Sequence, residues 1–150
     1  MNATVAARQP VTWHYWAISG LSLLWNSFGA YDYTMSKLDP AAYFAAMGLS
    51  PETLAYMEAM PSWLTIFWAL GVWGSFAGSV LLLLRSRHAV TAFWVSLLGL
   101  AVSQAWQLSA GGMPAEMTAP PMLLMTVLIW AGVIFFIWYS RRALAKGYLR

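Results

Sequence analysis

From Ser62 to Leu84 the sequence runs SWLTIFWALGVWGSFAGSVLLLL without one charged side chain, and it stops abruptly at Arg85. No helical register gives this segment a polar face to offer water, so a half-buried helix of a soluble domain is excluded. Roughly 20 apolar residues cross the hydrocarbon core of a bilayer as an α-helix, and that is how the segment reads. Three further stretches resemble it. Charged residues make up 9 % of the 150-residue chain and hydrophobic ones 61 %, against about a quarter charged in an ordinary soluble domain.

The expected fold is all-α: a single transmembrane domain over 1–150, built as a membrane four-helix bundle. Its spans are placed at about 13–31, 62–84, 89–109 and 121–140. Pro10 and Thr12 suit the start of the first. Trp13, Tyr15 and Trp16 make an aromatic anchor there, as expected where a helix meets the membrane–water boundary. A cleavable leader cut near Ser27-Phe28-Gly29 is disfavoured, because Trp13, Trp16 and Trp25 crowd its supposed core and Arg8 is its only charge. Between the first two spans, Asp39-Pro40 and Ser50-Pro51 each pair a capping side chain with a proline fit for a first helical turn. They predict short outer-side helices at about 40–48 and 51–60. Arg85-Ser86-Arg87-His88 is so short a connection that the second and third spans must be antiparallel neighbours.

Charge sorts cleanly on this plan. Arg8, Arg85, Arg87, Arg141, Arg142, Lys146 and Arg150 fall on one side, and Lys37 alone on the other. Lys and Arg mark the cytoplasmic side, so both termini are expected in the cytoplasm. All five acidic residues fall outside. The net charge of +3 is scattered over span ends and gives no nucleic-acid patch. With no cysteine in the chain, disulfides, thiolate metal sites and cysteine nucleophiles are excluded.

Within the first span, Tyr15, Ser19, Ser22, Asn26, Gly29 and Tyr33 recur at steps of three and four, forming one small and polar stripe. In lipid such a stripe faces protein or water. Either it joins helices through hydroxyl and amide hydrogen bonds, or it walls a polar cavity. The third span carries a counterpart in Ser96, Gly99, Ser103 and Gln107, with Gln104 beside it. At about 1.5 Å per residue, Asn26 and Gln104 reach a similar depth, about 20 Å from the inner surface. Thr65 and Thr126 also fall toward the outer side. The candidate solute-binding set is therefore Asn26, Asp32, Tyr33, Gln104 and Gln107; Asp32 and Gln107 also read as markers of the water boundary, and for Asp32 that reading is the favoured one. Gly71, Gly74 and Gly78 on the second span allow close helix packing, either inside the chain or across a homo-oligomer.

His14 and His88 both lie at inner span ends. They read as boundary residues in preference to haem or metal ligands, and no cofactor is expected. Spaced enzyme motifs such as HExxH, GxSxG or a P-loop do not occur, so an enzyme is not expected either.

The stretches Trp25 to Thr34, Phe67 to Gly74 and Gly78 to Arg85 resemble a family of small four-span bacterial membrane proteins often labelled "sugar transporter". The resemblance implies a multi-pass protein of the inner membrane and carries no residue-level mechanism. Two functions stay open: transport of a small, sugar-like solute by an oligomer with an outward-facing polar pocket, and a non-catalytic accessory or assembly role in a larger membrane complex.

Overall fold

Proline and glycine punctuation, together with capping side chains, divides the chain into its helices. The computed structural model describes residues 10–150, and every regular element among them is a helix. The long helices are α1 (Trp13–Leu38), α4 (Ser62–Leu83), α5 (His88–Ala110) and α6 (Pro120–Ala145). Two short ones, α2 (Pro40–Ala46) and α3 (Pro51–Glu58), follow α1, and a single 3-10 turn (Ala115–Thr118) precedes α6. Arg8 and the rest of the polar tail lie outside the described residues.

The short helices begin as the sequence indicates. The Asp39 carboxylate accepts from Ala42 N–H at 3.2 Å, and the Ser50 hydroxyl from Thr53 N–H at 3.3 Å. Thr12 precedes α1, but its side chain makes no cap bond. Two long helices outrun their expected ends. α1 continues to Leu38, because nothing between Asp32 and Lys37 breaks a helix, and the Thr34 and Ser36 hydroxyls fold back onto Ala30 and Asp32 carbonyls. α6 continues to Ala145 through the helix-favouring Arg141 to Ala145. Gly147, at φ +73°, then ends it: Tyr148 N–H bonds Ala143 O and Gly147 N–H bonds Leu144 O. The same closure follows α4, where Arg85 stands at φ +59° in the place glycine usually fills.

Among the described residues, three helices, α4, α5 and α6, are long and apolar enough to cross a membrane. The fourth expected span, α1, falls short of them in hydropathy because of its polar stripe. Yet that stripe is turned inward: Tyr15, Ser19, Ser22 and Asn26 are buried, while Trp13, Leu21, Leu24 and Phe28 are exposed. The same inversion runs through the chain. Among the described residues, ten polar ones, eight of them serines, are buried, and Leu, Ile, Trp and Phe side chains crowd the surface. An apolar surface of this extent marks contact with lipid or protein rather than water.

The glycines of α4 set the closest approach. Gly71 and Gly74 face the α5 backbone at Ser96 and Gly99, and Gly78 faces the Phe93 ring. Ser96 Oγ donates to Gly71 O across the contact at 2.5 Å. The face considered for a second copy is thus occupied by α5 within one chain. α4 also packs on α1, α5 on α6, and α6 reaches α1 through the Tyr15 and Tyr139 rings, 6.3 Å apart. Tyr15, Leu82, Phe93, Phe136 and Ile137 form the apolar core.

Candidate functional site

The polar stripe of α1 meets α4 at hydroxyls. Ser22 Oγ and Ser79 Oγ lie 2.7 Å apart, and Asn26 Nδ2 donates to Ser79 Oγ at 2.8 Å. Ser79 in turn reaches Ser75 O at 3.0 Å. One turn along, the Tyr15 hydroxyl donates to Leu82 O. Asn26 is therefore an interhelical fastener, fixed by two serines. Among the described residues, the buried hydroxyls of Ser19 and Ser103 have no partner.

The other four candidates are dispersed. The Asp32 carboxylate accepts from the Tyr43 hydroxyl at 2.8 Å, which ties α1 to α2. Burial, and then this bond to a carboxylate, pushes the Tyr43 phenol up to about 12. Tyr33 lies edge-on to Trp68, with ring centres 4.9 Å apart. Gln104 and Gln107 are half-buried toward the C-terminal end of α5, which meets α3 at Tyr56 and Trp106 and is the end the short helices cap, and no hydrogen bond joins either to Asn26 among the described residues. The structure thus brings Asn26 to Ser79, and does not bring the five together.

A cavity of about 420 Å³ opens at the cap end instead, between the end of α1, the two short helices and the start of α4. None of the five expected residues lines it. Its wall combines Phe44, Met57 and Trp68 with Thr65, Lys37 and Glu58. The Lys37 ammonium sits 4.9 Å from the centre of the Trp68 ring, within cation–π range. Of these, the sequence marks Thr65 by its depth, Lys37 as the lone outer cation, and Phe44 and Met57 as apolar residues of the short helices; the fold of those helices over α4 brings them together.

Glu116, not among the five expected residues, gathers a second polar cluster at this end. Its Oε2 accepts from Ser50 N–H at 3.0 Å, Ser50 Oγ at 3.1 Å and Thr53 Oγ at 2.7 Å. These bonds, the Ser50 backbone first and the Thr53 hydroxyl next, hold its carboxyl below the ordinary value near 4.5. The 3-10 turn before α6 is thereby clamped to the start of α3. No short motif announces this, because the partners are 63 and 66 residues apart.

At the opposite end, a second cavity of about 290 Å³ lies between the start of α1 and the end of α6. Next to it, Arg150 N–H donates to Arg85 O, Arg87 N–H to Arg150 O, and Arg85 Nε to Tyr148 O. Among the described residues, no three acidic or histidine side chains gather as a metal site would need. No protein-family model, curated protein or solved structure matches this chain.

Proposed function

We propose that the chain is a multi-pass protein of a bacterial inner membrane, that α1 crosses beside α4, α5 and α6, and that it serves as an accessory or assembly subunit of a larger membrane complex. The inward polar stripe and outward apolar face of α1 support a fourth crossing. The orientation rests on charge: Arg85, Arg87, Arg141, Arg142, Lys146 and Arg150 cluster at one end, with Lys37 at the other.

One observation carries the accessory role. The interior amide and hydroxyls that a solute pathway would leave free, Asn26, Ser22 and Ser79, are bonded to one another across α1 and α4. The two cavities stand at opposite ends of the helices. The chain has no cysteine, so single cysteines placed at Thr12 and beside Lys37, which flank α1, report its crossing directly. Label reaching both from one face refutes the four-crossing topology.

The functional test is extraction in mild detergent with a tagged chain. Stoichiometric recovery of a larger membrane assembly supports the proposal. Saturable sugar uptake by vesicles holding only this chain refutes it. The 420 Å³ cap-end cavity favours a second reading, solute binding by an oligomer. That reading requires uptake or binding to fall in Lys37→Met and Trp68→Ala, which alter the cavity and leave the α1–α4 fastener intact.

A further inference from the structure

The basic end holds a cavity whose chemistry is one-sided. Thr12 and His14 from the start of α1 face Tyr139, Arg142 and Lys146 from the end of α6, with Tyr148 closing the space. No acidic side chain lines it among the described residues. The chain's acidic residues, Asp32, Asp39, Glu52, Glu58 and Glu116, all belong to the cap end. The two cations rest against rings instead of carboxylates. The Arg142 guanidinium lies 5.5 Å from the Trp138 ring centre, and the Lys146 ammonium 5.8 Å from that of Tyr148. Trp13, stacked on His14 at 3.8 Å, and Trp138 are exposed beside it. Exposed tryptophans at a helix end belong at headgroup depth.

We propose that this cavity binds the phosphate headgroup of an anionic phospholipid. Arg142 presents a planar donor fork to a phosphate oxygen, Lys146 adds a second positive charge, and the Thr12 hydroxyl is available as a neutral donor. Basic pockets between membrane helices on the cytoplasmic side suit such headgroups. The acyl chains then descend along the exposed Trp138, Phe135 and Trp16, which a free anion would leave uncovered. This site would anchor α1 to α6 at the end where their contact is aromatic and no hydrogen bond between them occurs among the described residues.

The test uses the full chain purified in an uncharged detergent. Lipid retention is followed by native mass spectrometry and thermal stability by unfolding midpoint, with phosphatidylglycerol, phosphatidylcholine or inorganic phosphate added. The expected result is retention and stabilisation by phosphatidylglycerol alone, weakened roughly tenfold or more in Arg142→Gln/Lys146→Gln. Arg141→Gln, which removes a charge outside the cavity, should leave both readouts unchanged. The charge-keeping Arg142→Lys/Lys146→Arg variant guards against misfolding and should retain the lipid. Equal stabilisation by phosphatidylcholine, an equal shift from inorganic phosphate, or equal loss in Arg141→Gln overturns the proposal.

Discussion

Gly99→Ala tests the packing on which the membrane helices depend. A methyl at this position would lie 2.4 Å from both Gly71 N and Phe67 O. Ordinary contact starts at 3.4 Å, so α4 and α5 must part by 3.4 − 2.4, about 1.0 Å, because backbone atoms in a close-packed contact cannot swing aside. That separation stretches the Ser96 Oγ–Gly71 O bond from 2.5 Å to about 3.5 Å, the limit of a hydrogen bond. Overpacking and the weakened interhelical bond together cost about 2–4 kcal/mol. Gly20 and Gly29 on α1 supply the control, since a methyl there meets nothing within 4 Å. Alanine at either is expected to be neutral or to stabilise by up to about 1 kcal/mol through helix propensity. Denaturant unfolding in mixed micelles, followed by tryptophan fluorescence, measures all three variants. A Gly99→Ala midpoint equal to wild type, or an equal loss in Gly29→Ala, refutes the assigned α4–α5 contact.

Asn26→Leu and Ser79→Ala are each expected to destabilise, and a double-mutant cycle should give a coupling of about 0.6–1.7 kcal/mol for their hydrogen bond; additive losses would contradict the pairing. At Arg85, alanine keeps the left-handed backbone and loses the bond to Tyr148 O, whereas glycine relieves the backbone. Arg85→Gly should therefore unfold later than Arg85→Ala, by about 1 kcal/mol. Glu116 has its carboxyl held below the ordinary value, so the stability it confers is present above about pH 4.5 and is lost as pH falls through the lowered value. The thermal midpoint of wild type should exceed that of Glu116→Gln near neutrality, and the gap should close in acid. A gap independent of pH would show that the carboxylate clamp carries no weight.

The charge-free run of α4, the tight Arg85–His88 link and the two capping-residue–proline pairs made most of the helix order legible, because each acts through neighbours in sequence. Hydropathy says less about α1. Its serines and asparagine lower its apolar content, and that their stripe turns inward is visible only in the structure. The candidate pocket failed for a related reason. Shared depth along two helices does not state which neighbour an amide faces, and Asn26 faces Ser79. Glu116 and the wall of the cap-end cavity depend on where α3 settles, which is fixed by contacts more than 60 residues apart in sequence.

The hydroxyl seam also orders events during synthesis. α1 emerges first, yet Ser79, which accepts its amide, follows 53 residues later. Until then Asn26 has only its own helix to bond, so α1 is a poor candidate to partition into lipid alone. On the proposed four-crossing topology, it should linger beside the insertion machinery and enter together with α4, and a chain cut after Met60 should leave α1 extractable from membranes that retain the full-length protein.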